Sequence, residues 1–155
     1  MSLFKQKLEK KYLYYFRKCN SSNGLIKLFY RFKLHRLSLK TQIQIPYTTK
    51  IGKNFNINHL GQVIINPRTV IGDNVSVSTG VLIGQENRGK REGCPTFLGD
   101  CWIGANSVIV GNVTIGKDVL IAPNAYVNID VPDHSVVIGN PAVIHHKDNA
   151  TEGYL

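Results

Sequence analysis

The chemistry open to this sequence rests first on its five histidines and three cysteines, the residue types best suited to proton transfer or nucleophilic attack near neutral pH. His59 stands apart. It lies in NINHLGQVIIN, residues 56–66, where Ile, Val, Asn and Gly otherwise read as plain repetitive β-structure. An imidazole, with an ordinary pKa near ~6.5, can take a proton from a hydroxyl and return it, which is the work of a general base. Cys94 lies in the polar stretch QENRGKREGCPT, but no base is evident beside it to activate the thiol. His35, His134, His145 and His146 have no comparable setting. Cys19, Cys94 and Cys101 are odd in number and lack metal-ligand spacing. They imply no structural disulfide, no metal centre and a reducing, cytoplasmic setting.

What must position His59 is a repeat. From residue 51 an aliphatic or aromatic residue opens every sixth position: Ile51, Ile57, Ile65, Ile71, Val77, Ile83, Phe97, Ile103, Ile109, Ile115, Ile121 and Val127. Gly, Asn or Ala often follows the opener, and a small or β-branched residue often stands fifth. A six-residue period sustained this long predicts an all-β solenoid, a parallel β-helix in which each unit forms one wall and stacked openers form the core. The period fails twice, over the eight residues from Ile57 to Ile65 and the fourteen from Ile83 to Phe97. Each interval exceeds a multiple of six by two, so each must bulge from the coil. His59 sits in the first bulge and Cys94 in the second. A regular coil has no use for a histidine at a bulge, whereas a side chain serving a cleft is well placed there.

The rest of the chain divides around this coil. Residues 1–41 are a basic helical segment, 42–133 the coil of about four turns, and 134–155 a C-terminal strand and tail. Residues 1–40 carry eleven of the nineteen Lys and Arg against one acid, Glu9, so that segment is +10 and the remainder of the chain −1. Phe4, Leu8, Tyr12, Tyr15 and Phe16 recur at helical spacing among the lysines, CNSSNG interrupts, and a second helix sets Leu25, Phe29 and Phe32 on one side. Two readings stand: a surface lying on anionic lipid at the inner membrane face, or a helical hairpin packed on its own domain. No recognised motif points to nucleic acid. No apolar run approaches the ~20 residues that span a bilayer, and lysines interrupt any secretory leader.

INHLGQVIINPRTVIGDNVSVSTGVLIG, WIGANSVIVGNVTIG and NIDVPDHSVVIGNPAVI resemble the hexapeptide-repeat acyltransferases, most closely their serine acetyltransferase-like branch, over residues 43–144. The resemblance implies a left-handed β-helix of triangular section, against the usual right-handed crossover rule. It also implies acetyl-CoA as co-substrate and a homotrimer with active sites between neighbouring coils. The family's catalytic histidine falls on His59. Its CoA contacts, largely backbone groups at coil corners, fall on Gly84, Ala105 and Pro123. Ala105 and Pro123 hold the third position of their units, as His59 does, which predicts one corner in successive turns. Trp102 either lines the pantetheine channel or caps the core, and Arg88, Lys90 and Arg91 either meet CoA phosphates or stay solvated. Val108, Val110, Val77 and Tyr126 are expected on the outer walls that pack in the trimer.

The departures from the family pattern also carry an expectation. An aspartate that orients the base, a second beside it, and an Arg-His pair near the acceptor fall on Gln44, Asn58, Gly93 and Cys94. Gln44 keeps an amide oxygen that can orient His59, and Asn58 and Cys94 remain as acceptor contacts. With these charges lost, a neutral hydroxyl suits the site better than serine. The leading expectation is therefore an acetyl-CoA-dependent O-acetyltransferase acting on a sugar of cell-surface polysaccharide. Serine O-acetyltransferase and a noncatalytic β-helix scaffold are the alternatives.

Overall fold

The computed structural model describes residues 6–155, and Phe4, expected on the first helix's apolar stripe, lies outside them. Helix α1 (Gln6–Ser21) and helix α2 (Gly24–Thr41) precede the coil. On α1 the stripe formed by Tyr12, Phe16 and Cys19 is fully buried, following the i, i+4, i+7 spacing of an amphipathic helix. The Tyr12 hydroxyl donates to the carbonyl of Ile45 (3.0 Å) and accepts from its N–H (3.1 Å), tying α1 to the first turn of the coil. Burial pushes this phenol up to about 12, despite the opposing Ile45 bond. Arg17 donates to the carbonyls of Ile51 and Gly52 on the next wall.

Helix α2 ends at Gln42, whose left-handed backbone (φ 61°) lets its N–H reach the carbonyl of Ser38. Leu34, Leu37 and Thr41 are its buried residues. Leu25, Phe29 and Phe32, expected to share a side, face outward with more than half of each exposed. The packed-hairpin reading thus describes α1 but not the outer side of α2.

Beyond residue 42 the chain climbs three parallel ladders in rotation. The first wall stacks Ile43–Gln44, Val63–Ile65, Leu82–Gly84, Val108–Val110 and Tyr126–Val127. The second pairs Lys50–Ile51 with Val70 and Ile71, then Thr96 and Phe97, then Thr114–Ile115. The third carries Asn56–Ile57, Ser76 and Val77, Trp102 and Ile103, Val119–Ile121 and Ser135–Ile138. Strands Val70–Val77 and Thr96–Ile103 each run round a corner from the second wall to the third.

Register explains the sequence period. Ile65 lies over Ile83, Ile109 and Val127, and Ile57 over Val77, Ile103 and Ile121. Every opener is buried except Ile51, which is half-buried. Because side chains alternate along a strand, the residue two before an opener also points inward, and Val63, Val75, Val81, Cys101, Val113 and Val119 are buried as well. Burying each such side chain contributes roughly 1.5–3 kcal/mol, so the coil is held by its interior column. Val77 belongs to that column, not to an outer wall as expected. Ile64, Leu82, Val108, Val110 and Tyr126 do stand half-buried on the outside of the first wall.

The third wall continues through Ile138, past the boundary expected at residue 133. Val143–His146 then turns back antiparallel onto Ser135–Ile138.

Candidate active site

The corner between the third and first walls repeats a backbone pattern in each turn. The N–H groups of Asn58, Ser78, Gly104 and Ala122 donate to carbonyls of the turn above, and the next residues are His59, Thr79, Ala105 and Pro123. His59, Ala105 and Pro123 therefore share one corner column, with Thr79 filling the turn between. The first bulge, residues 58–62, swings out over this corner. It does so at Gly61, whose φ of +152° and close approach to the Thr79 hydroxyl leave no room for a Cβ. His59 is exposed, and no hydrogen bond among the described residues engages its ring. Its nitrogens are free to meet a substrate.

The second bulge is braced. Glu86 and Gly93 exchange two backbone hydrogen bonds of 3.0 Å, which pinch its neck. Asn112 donates to the carbonyl of Arg91, and the Arg91 guanidinium meets the Asp130 carboxylate at 3.1 Å. Hydrogen bonds from the Thr114 N–H and from Arg91 hold the Asp130 carboxyl below its ordinary value. Arg91 is thus engaged in fixing the bulge, while Arg88 and Lys90 stay exposed. Cys94 is half-buried. This loop leaves from the far end of the first wall, so His59 and Cys94 lie at different corners of one chain.

Gln44 does not orient His59 within the chain, since no hydrogen bond among the described residues joins them. Gln44 and Gly84 instead line a cavity of about 1040 Å³ between α2 and the first wall, with Arg31, His35, Gln85 and Asn87. Asn58 turns the other way. Its amide oxygen accepts from Asn56 Nδ2 (2.6 Å) and Ser76 Oγ (3.0 Å), and it lines a second cavity of about 660 Å³ on the third wall. Trp102 stands on the outside of that wall, its ring 4.7 Å from that of Tyr154. It therefore covers no core and serves as the platform for the C-terminal segment.

The sequence predicts a strand and tail there, but not how the tail is anchored. Asp118 accepts hydrogen bonds from the N–H groups of Ala150 and Thr151, the Thr151 hydroxyl and His134 Nδ1. Burial alone would raise the Asp118 carboxyl, but these donors hold it well below the usual carboxylate range. The Asp118 bond likewise raises the His134 imidazole. The only local signal is that Asp118 and His134 occupy the left-handed corner (φ 53° and 56°) held by Asn54 and Asn74 in earlier turns.

Residues 99–128 match the family described as bacterial transferase hexapeptide (six repeats). The serine acetyltransferase of Bacillus pumilus (strain SAFR-032) is 36% identical, over 73% of this chain and 56% of that protein. The crystal structure of serine acetyltransferase from Brucella abortus strain S19 superposes with a TM-score of 0.76 at 25% identity, over 90% of this chain and 57% of that one. The chain belongs to the hexapeptide-repeat acyltransferases, in their serine acetyltransferase-like branch. A further member, a serine acetyltransferase in complex with CoA, superposes with a TM-score of 0.71 at 25% identity, over 89% of this chain and 55% of its own. The chain spans about half the length of the serine acetyltransferases it matches.

These relatives overturn the expectation of a polysaccharide acceptor. That expectation rested on the charge lost at Gln44, expected to orient His59, and at Asn58, Gly93 and Cys94, expected near the acceptor. In the structure Gln44 faces the α2 cavity, Asn58 faces the third wall, and Gly93 and Cys94 belong to the braced loop. Within one chain their lost charges therefore do not describe a single binding site.

Proposed function

We propose that the chain is an acetyl-CoA-dependent O-acetyltransferase whose acceptor is the hydroxyl of serine. The observation that carries this reading is His59. It is an unengaged imidazole on an outward bulge, in a chain whose relatives are serine acetyltransferases. In this mechanism His59 takes the proton of the serine hydroxyl as its oxygen attacks the thioester carbonyl of acetyl-CoA. The carbon–sulfur bond then breaks, and the imidazolium returns its proton to the departing thiolate. The CoA complex of a relative supports acetyl-CoA as the donor, and in this reading its backbone contacts are assigned to the corner groups of Ala105 and Pro123, with Gly84.

The coil is left-handed in this reading, as in the family, and the working unit is a homotrimer. Ile64, Leu82, Val108, Val110 and Tyr126 give the first wall an apolar outer surface suited to burial against a second copy. Trimerisation would bring the braced loop of one copy to the His59 corner of the next, with Arg88 and Lys90 available to the serine carboxylate or the CoA phosphates.

The test is thiol release from acetyl-CoA on adding L-serine, with mass-spectrometric identification of O-acetylserine. Release with serine and none with His59→Ala is the expected result. No serine-dependent release, or undiminished turnover by the variant, overturns the assignment.

A further inference from the structure

Helix α2 has two apolar sides. Leu34, Leu37 and Thr41 face the coil and are buried. Roughly half a helical turn away, Leu25, Phe29, Phe32 and Leu39 follow one another at spacings of four, three and seven, with exposures of 84%, 54%, 55% and 72%. Ile26 and Leu28 flank this stripe and are also more than half exposed. An outward stripe of this kind, interrupted at Arg36, marks a contact surface rather than scattered exposure.

The charges around the stripe specify the partner. Helix α2 contains no acidic residue. Lys33 places its ammonium 5.3 Å from the centroid of the Phe29 ring, and the Arg36 guanidinium lies 5.9 Å from that of Phe32. Lys33 thus sits at the rim of the apolar stripe, and Arg36 stands within it, in the gap between Phe32 and Leu39. Rings can then dip below headgroup level while ammonium and guanidinium groups stay among phosphates. A second copy meeting this face would bring two strongly basic segments together, each with eleven cations against one acid in residues 1–40. Its charge opposes that contact. Among the described residues no helix is long and apolar enough to cross a membrane, so α2 would lie in the interface plane.

We infer that the outer side of α2 docks the protein reversibly on an anionic lipid surface, with Leu25, Phe29 and Leu39 entering the interface and Lys33, Arg36 and Lys40 meeting lipid phosphates. Leu28 and Phe32 border the α2 cavity, whereas Leu25 and Phe29 are not among its lining residues. The latter pair can therefore be changed without disturbing the candidate active site.

The test is flotation of the full chain with vesicles of phosphatidylcholine alone or mixed with phosphatidylglycerol. Partition onto the mixed vesicles should exceed that onto neutral ones by roughly tenfold or more and fall as salt is added. The double variant Leu25→Ser/Phe29→Ser, confirmed folded by circular dichroism, should bind at least about tenfold more weakly. Equal partition onto both vesicle types, or undiminished binding by the variant, overturns the inference. A smaller assembly of the variant in vesicle-free solution, with no vesicle binding by the parent, assigns the stripe to a second copy instead. Preferential binding to a DNA duplex, indifferent to the double variant, assigns the charge to nucleic acid.

Discussion

The two bulges arise from the same arithmetic, two residues beyond a multiple of six, yet they reach opposite mechanical states. The first, residues 58–62, is held by its backbone at Gly61 and leaves the His59 side chain unengaged. The second, residues 85–96, is pinched at Glu86 and Gly93 and strapped to the two following turns, through Asn112 in the first and Asp130 in the second. The first therefore serves to present a side chain, while the second serves as a rigid arm. An insertion in a repeat says where a solenoid departs from its core. It does not say whether the departure is a tool or a support.

The largest expected effect that sharpens this contrast is the kinetic loss in His59→Ala. Removing a general base should lower kcat/KM at least about 10²-fold while the thermal unfolding midpoint stays put, because the side chain is exposed. Next comes Gly61→Val. A Cβ here meets the Thr79 hydroxyl and the φ is unfavourable, so stability should fall by about 1–3 kcal/mol, read by denaturant titration. A Gly61→Val protein as stable as the parent would mean that the first bulge is not pinned to its corner.

Smaller still is Arg91→Ala. The side chains of the Arg91–Asp130 pair are 38% and 63% exposed, and Asp130 keeps its bond from the Thr114 N–H. Equilibrium unfolding should register only ~0.2–1 kcal/mol, with faster amide exchange confined to residues 85–96. A global loss of several kcal/mol would instead make the arm part of the core.

The subtlest test sets His59 against the clamped histidine, His134. The His134 pKa is raised in the folded chain by Asp118, so its contribution is full below the ordinary imidazole value of ~6.5 and is lost as pH rises through the raised value. The Asp118 carboxyl is depressed, so its contribution is present above ~3.9 and is lost only as pH falls through the depressed value. The C-terminal segment is therefore held most firmly between those ordinary values. Since Tyr154 covers the single tryptophan, Trp102 emission should shift slightly to the red on alkaline titration. The midpoint should lie above ~6.5, and His134→Gln should abolish the transition.

The coil was legible because its signal is local and repeated: openers six apart must stack once walls form, and all but Ile51 are buried. His59 was legible because the repeat fails there. The basic head was legible as helices, but which side of α2 met the coil was not, since apolar residues lie on both sides and only contact with the first turn distinguishes them. Asn58 and Trp102 were misplaced for a related reason. Their surroundings depend on Ser76 and Tyr154, and the position of Tyr154 depends on the anchoring of Thr151 by Asp118, thirty-three residues away in sequence. The acceptor was not legible because charge lost at Gln44, Asn58, Gly93 and Cys94 does not by itself exclude serine, and it is the relatives that point back to serine.

The reversed strand Val143–His146 has a consequence for how the molecule behaves in a crowded solution. A stack of parallel walls is a growing template, and an open end offers a row of unpaired backbone groups to any passing β-prone chain. Here the last rung runs backwards against Ser135–Ile138, so an identical coil cannot continue it in phase. At the other end, the Tyr12 hydroxyl occupies both the donor and the acceptor of Ile45. The reversed strand closes the third wall at one end and Tyr12 occupies Ile45 beside the first wall at the other, so in-phase end-to-end addition is disfavoured on those walls.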